Sequence, residues 1–174
     1  MISAKIRTGF YGGSFNPIHE GYLALGDHLI LNGLVDECWF VVSPKNPLKE
    51  TADPADAADR LKMVSKALEG HPGCSASDIE FHLPLPSYTV QTLRYAAEKY
   101  PEREFVLLIG GDNLDLFTQW KEYDFLLANF DILVYPRPGF SNRIPAGWNR
   151  MKMLDGQMLD ISSTEIRKKR KSPI

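Results

Sequence analysis

The chain has 174 residues, 44% hydrophobic and 24% charged, with a formal net charge of −2. That length supports one domain with a substantial core, and the charge balance argues against a general polyanion binder: without the basic run Arg167–Lys171 it would fall from −2 to −7. Cys38 and Cys74 make neither a disulfide framework nor a metal-ligand spacing. No apolar signal core follows Met1 and no apolar run approaches a membrane span. The expectation is a cytoplasmic protein without membrane or nucleic-acid partners.

Strand-like and helix-like patterns alternate along the chain. Ala4–Phe10 reads as a first strand, and Ile18–Gly33 as a helix with Ile18, Tyr22, Leu25 and Leu29 at helical spacing. Glu37–Ser43 is a short apolar run suited to a buried parallel strand. Pro44–Asp53 is a loop, Pro54–Glu69 a helix ending at Gly70, and Ser75–Phe81 a weaker strand. Ser87–Tyr100 reads as a helix stopped by Pro101, and Glu104–Ile109 as the strongest buried strand. Phe125–Asn129 reads as helix and Asp131–Tyr135 as strand. Met151–Leu154 and Gln157–Ile161 read as short strands, and Ser162 begins a last helix. This alternation predicts an α/β domain, a doubly wound and mostly parallel sheet with helices on both faces. Ligands of such sheets sit outside the carboxyl ends of the strands.

The Gly12–Gly13 turn, the Ser43–Lys49 loop, the Gly110–Asp112 turn and the Pro136–Gly139 loop all follow strands and should gather at that edge, and these and two helix starts carry candidate chemistry. Gly9–Tyr22 runs from a strand through Gly12–Gly13 into a helix, with Asn16 as a candidate N-cap and Pro17 at the first helical position. A helix start behind such a turn favours an anion, and His19 with Tyr22 falls on one helical face. The stretch is neither G-x-G-x-x-G nor a P-loop, so a purely structural turn is the competing reading. Ser43–Lys49 is a proline-stiffened loop whose lysines either hold a phosphate or face solvent. Ser87 can cap its helix. Asp112, after Gly110–Gly111, either meets a ribose hydroxyl or caps the next helix. Ser162 and Glu165 form a capping box, which would cluster Ser163, Thr164 and Arg167 at a helix start suited to phosphate oxygens.

Taken together these segments resemble the nicotinate-nucleotide adenylyltransferases of the nucleotidyltransferase superfamily. Gly12–Gly21 matches the signature G-G-[ST]-F-[DN]-P-x-H-x-G-H, and Tyr22 stands where that signature has its second histidine. Asn46–Pro47–Leu48–Lys49 matches Pro-Pro-His-Lys in part. Pro86–Leu93 is similar to Pro-Ser-Tyr-Thr-x-x-Thr-Leu, a motif that other branches lack. Ile109–Leu114 followed by Trp120 matches Ile-Gly-x-Asp-x-Leu with its downstream tryptophan. Arg137–Pro138–Gly139 matches a turn near the nucleotide, and Ile161–Arg167 matches Ile-Ser-Ser-Thr-x-Ile-Arg.

The resemblance implies a single Rossmann-like domain over 1–174 that transfers the adenylyl group of ATP to nicotinate mononucleotide. It implies ATP contacts from Gly12, Gly13, Ser14, Phe15, His19, Ser163, Thr164 and Arg167. Mononucleotide contacts are implied for Lys49, Thr89, Asp112 and Trp120, with Thr89 near the pyridine carboxylate and Trp120 on the ring. His19, Tyr22 and Arg167 would act in catalysis. Mg²⁺ would be held mainly by ATP phosphates, with no protein metal ligands. Family members continue past the arginine into a further helix, so a chain ending at Ile174 reads as truncated there or lacking that helix. Two alternatives stay open, the first because Thr89 and Trp120 do not fix the pyridine carboxylate, the second because of Tyr22 and the short tail. One is another acceptor, nicotinamide mononucleotide or phosphopantetheine; the other is a catalytically weak nucleotide-binding paralogue.

Overall fold

The computed structural model describes residues 4–15, 17–44 and 54–155, without the side chains of 54–56. The predicted strand over 157–161 and the last helix lie outside the described residues. Six strands, β1 (Ile6–Gly13), β2 (Glu37–Val42), β3 (Cys74–Ser77), β4 (Arg103–Gly110), β5 (Asp131–Tyr135) and β6 (Met151–Met153), form one sheet. Among the described residues five α-helices connect them: α1 (Glu20–Leu31), α2 (Pro54–Ala67), α3 (Thr89–Lys99), α4 (Gly111–Asp115) and α5 (Tyr123–Asn129). The strand order is β3-β2-β1-β4-β5-β6 and every pairing is parallel.

Strand alternation divides the core into two layers. Phe10, Val41, Leu107, Ile109, Ile132 and Val134 point to one face, where Val90, Leu93 and Ala96 of α3 and Leu126 of α5 cover them. Tyr11, Phe40, Val42, Val106, Leu108 and Leu133 point to the other, against Leu25 and Leu29 of α1 and Val64 of α2. Helices on both faces explain why β2, β4 and β5 read as unbroken apolar runs. Among the described residues no helix is long and apolar enough to cross a membrane.

β1 continues past its predicted end, because Gly12 and Gly13 pair in register with Val41 and Val42. The two glycines therefore finish the strand, and the left-handed residue of the turn is Phe15, at φ 47°. The predicted strand over 75–81 is shorter than expected. After Ser77 the chain closes a 3₁₀ turn at Ile79–His82 that buries Ile79 and Glu80.

Gly26 shows how closely α1 lies on the sheet. A Cβ there would meet the Phe40 ring at 3.0 Å and Cys74 Sγ at 3.1 Å. Alanine would gain about 1 kcal/mol of helix propensity, but overpacking costs about 1–3 kcal/mol. The Phe40 ring is fully buried and has no room to yield. Gly26→Ala is therefore expected to lower the thermal midpoint by about 2–4 °C in a melting experiment. A stabilised variant would mean that α1 can step back from the sheet.

Candidate active site

The strand order reverses between β1 and β4, and the crevice outside that switch point is where open α/β sheets bind ligands. A cavity of about 150 Å³ opens there, lined by Gly12 and Gly13 of β1, Ser43 after β2, Glu80, Ser87–Thr89 and Trp120. Two predicted mononucleotide residues, Thr89 and Trp120, thus share one chamber with the two glycines. Thr89 is the first residue of α3, so helix N–H groups without intrahelical partners begin at the chamber wall. Tyr88, not Ser87, occupies the N-cap position and makes no side-chain capping bond. The Ser87 hydroxyl is buried with the chamber wall instead. Trp120 serves the core and the chamber together, its ring tilted on Phe117 at 5.1 Å. Lys121 also lines the cavity and holds its ammonium 4.6 Å from the centre of the Tyr88 ring.

The helix after the glycines starts later than predicted. Pro17 lies in a turn ahead of α1, and Asn16 lies outside the described residues. His19 is the N-cap, and its Nδ1 accepts the Gly21 N–H at 3.1 Å. An acceptor Nδ1 leaves the ring proton of a neutral imidazole on Nε2. Nε2 is buried and has no hydrogen-bond partner among the described residues. Burial, and then the Arg137 guanidinium, hold the ring's pKa below its usual value, so it stays neutral at pH 7. Tyr22 stacks on His19, with ring centres 3.9 Å apart and planes 22° apart. Tyr11 and Phe15 meet Tyr22 edge-on at 5.7 and 5.4 Å.

Phe15 turns its ring into the core, where it is 3% exposed. What it can offer a nucleotide is therefore its backbone. The ring lies over Gly13, where a Cβ would stand 3.2 Å from it, and this close approach explains the second glycine. The Ser14 carbonyl accepts from Arg60 at 2.8 Å, and the same guanidinium nitrogen reaches the Ser43 carbonyl at 2.8 Å. Arg60, from α2, thus ties the turn after β1 to the loop after β2. Nothing in its helical surroundings distinguishes it in the sequence.

Past β4, Gly110 caps α4 and Asp112 is the second residue of the helix, which replaces the capping role read for Asp112. A Cβ on Gly110 would lie 2.5 Å from Asp112 Oδ1 and 2.7 Å from the Tyr135 ring, so only glycine fits. Arg137 faces Asp112 across 3.8 Å. Burial opposes its charge, but Asp112, Tyr135 and Tyr22 around it more than compensate and raise its pKa. Arg137 therefore joins the His19 and Tyr22 group to the Asp112 turn. Sequence reading had placed it only generally near the nucleotide.

Six buried side-chain polar atoms lack partners among the described residues: Tyr11 Oη, His19 Nε2, Glu80 Oε2, Ser87 Oγ, Asp112 Oδ1 and Arg137 Nε. Buried polar groups are normally paired, yet Glu80 and Ser87 of this set line the chamber, and His19, Asp112 and Arg137 stand at the starts of α1 and α4 and after β5, while Tyr11 lies within β1. That is the pattern of a site built for a polar ligand. The described residues contain no group of three or more His, Cys, Asp or Glu able to cage a metal. Lys49, Ser163, Thr164 and Arg167 lie outside the described residues.

Comparison with known proteins adds an independent line. The cytidylyltransferase-like family profile matches residues 10–169. The probable nicotinate-nucleotide adenylyltransferase of Bacteroides fragilis is 47% identical over 94% of this chain and 82% of its own length. That of Cytophaga hutchinsonii is 45% identical over 93% of this chain and 84% of its own. Plasmodium falciparum nicotinic acid mononucleotide adenylyltransferase complexed with NaAD has a similar fold, with a TM-score of 0.77 at 21% identity, covering 94% of this chain and 83% of that one. With the switch-point chamber, the helix-capping histidine and relatives close over nearly the whole length, the chain belongs to the nicotinate-nucleotide adenylyltransferases of the cytidylyltransferase-like family.

Proposed function

We propose that this chain transfers the adenylyl group of ATP to nicotinate mononucleotide, giving nicotinate adenine dinucleotide and pyrophosphate in NAD biosynthesis. The observation that carries the reading is the juxtaposition at one sheet edge of a Thr89–Trp120 chamber and a His19–Arg137 pair. A mononucleotide phosphate oxygen attacks the α-phosphorus of ATP. One P–O bond forms there as the bond to the β-phosphate breaks and pyrophosphate leaves. Such a step asks mainly for alignment and stabilisation of developing charge. His19 donates its Nε2 proton as a hydrogen bond to the α-phosphate, and Arg137 supplies the fixed positive charge beside it.

In the chamber Trp120 offers a ring face to the pyridine, and Thr89 places the start of α3 against its carboxylate, where N–H groups and the helix dipole favour an anion. Lys121 adds a cation on the same wall. This arrangement supports the acid over the amide. Gly12, Gly13, Ser14 and backbone at Phe15 would follow the ATP phosphates, with Ser163, Thr164 and Arg167 assigned to the triphosphate and Lys49 to the mononucleotide phosphate by motif alone. The described residues provide no cage for Mg²⁺. The ion would be held through phosphate oxygens, where it neutralises charge. We place the reaction in the cytoplasm.

A pyrophosphate-release assay with nicotinate mononucleotide, nicotinamide mononucleotide and phosphopantetheine as acceptors tests the reading. Release with the nicotinate substrate above the other two is the expected result. ATP binding without release for any acceptor would replace the enzyme by a nucleotide-binding paralogue.

Tyr22 sets a further expectation. A phenol donates one neutral hydrogen bond where the family signature has an imidazole. Arg137 already lies within electrostatic reach of Tyr22, so part of the missing charge is present. Tyr22→His should therefore raise kcat by about tenfold, equivalent to about 1.4 kcal/mol, rather than by the full value of a charge-assisted contact. Unchanged or lower turnover would mean that the stacked tyrosine is already the better partner for His19.

A further inference from the structure

The chamber that supports an anionic pyridine substituent also contains a buried carboxyl. Glu80, in the 3₁₀ turn after β3, is 5% exposed and lines the cavity. Its Oε1 accepts the Thr92 hydroxyl at 3.2 Å. Oε2 has no well-formed hydrogen bond among the described residues. The groups pressing on it are hydroxyls: Ser43 after β2, Ser87 ahead of α3 and Thr92 on α3. On its own segment, His82 and Asp78 pair with each other at 3.3 Å and are exposed. Among the described residues the charged group across the cavity is Lys121, held over the Tyr88 ring. Glu80 forms no ion pair with any described residue.

A carboxylate here would repel a ligand carboxylate entering the same small chamber, with little water to screen it. A carboxylic acid would instead hold a proton on Oε2, which has no well-formed hydrogen bond among the described residues, and become a hydrogen-bond donor, a use known for acids in apolar sites. We propose that Glu80 is a specificity-determining residue of the mononucleotide chamber, which receives the pyridine carboxylate as a neutral donor. This rests on the nicotinate reading above. Burial, only partly offset by the Ser43, Thr92 and Ser87 hydroxyls, pushes the Glu80 carboxyl up to about 7 in the free protein. An anionic ligand raises it further, so the mononucleotide binds with uptake of a proton whenever the pH is above about 7. An amide in the same place brings no charge and draws no proton.

Two measurements test this on the full chain. Calorimetry at pH 8, in two buffers of different ionisation enthalpy, counts the protons taken up. Nicotinate mononucleotide should take up close to one proton more than nicotinamide mononucleotide, whose phosphate is the same. The KM for nicotinate mononucleotide should rise about tenfold or more between pH 6.5 and 8.5, while Glu80→Gln, normalised to its own value at pH 6.5, should lose that rise. Equal proton uptake for the two ligands, or parallel KM profiles in both proteins, would overturn the proposal. If Glu80→Gln does not fold, the wild-type calorimetry decides alone. A wild-type protein that makes no dinucleotide from nicotinate mononucleotide would instead sink the substrate reading on which the proposal stands.

Discussion

Replacing His19 by alanine should reduce kcat by about 10²–10³, the loss typical of a removed donor to developing negative charge. The expectation follows from how the ring is held. Its Nδ1 is committed to the Gly21 N–H, so the free proton sits on Nε2, the nitrogen without a partner among the described residues. The Tyr22 ring stacked on it at 3.9 Å limits its rotation. A donor fixed in this way needs no reorganisation as the α-phosphate gathers charge. KM for ATP should move much less than kcat, because a contact that strengthens only in the transition state leaves ground-state binding nearly alone. His19→Ala also removes the N-cap of α1, at a cost of about 1 kcal/mol, so its melting curve belongs beside the kinetics. His19→Asn keeps a capping oxygen but withdraws the Nε2 donor. If it matches the alanine variant in rate while restoring stability, the catalytic and capping roles separate. Near-native turnover in both variants would remove His19 from the chemistry.

The central strands of this protein were legible because they are buried on both faces: Phe-Val-Leu-Leu-Ile of β4 and Ile-Leu-Val-Tyr of β5 have no other reading in a chain of alternating elements. The bounds of the turns were not. Gly12 and Gly13 looked like the bend but are held in the ladder by Val41 and Val42, and the left-handed position fell to Phe15, whose ring packs back over Gly13. The α1 cap passed from the expected Asn16 to His19 because an imidazole nitrogen can accept an N–H as an asparagine oxygen does. Thr89 and Trp120 were visible only through the family motifs that contain them, since strand order alone places neither at the edge. Glu80 was not visible. Its neighbours Asp78 and His82 are exposed, and only the 3₁₀ turn after β3 carries its carboxyl inward. Arg137 was visible only as part of a short Arg-Pro-Gly turn. Its position between Asp112 and Tyr22 depends on the strand order at the switch point, which local sequence does not encode.

Arg137→Ala should cost about a hundredfold in kcat/KM, or about 3 kcal/mol, and the sign of each contribution can be worked out. The side chain is 18% exposed and its guanidinium stands 3.8 Å from Asp112, so its removal deletes a cation beside the reacting phosphates. It also leaves the Asp112 carboxylate uncompensated in a site that must admit two polyanions. Asp112→Asn in the same protein should therefore recover part of the loss, and the double-mutant cycle isolates that share. Arg137→Lys keeps the charge but not the planar fork, so it should fall between the two. A second readout follows the field rather than the rate. Arg137 is one of two causes that keep His19 neutral, the larger being burial. Its loss should move the His19 titration part of the way back up toward the ordinary histidine value of about 6.5, followed by NMR in the free protein, while Arg137→Lys should leave it nearly in place. An unmoved His19 titration in Arg137→Ala, with wild-type kcat/KM, would show that the guanidinium acts on neither the histidine nor the phosphates.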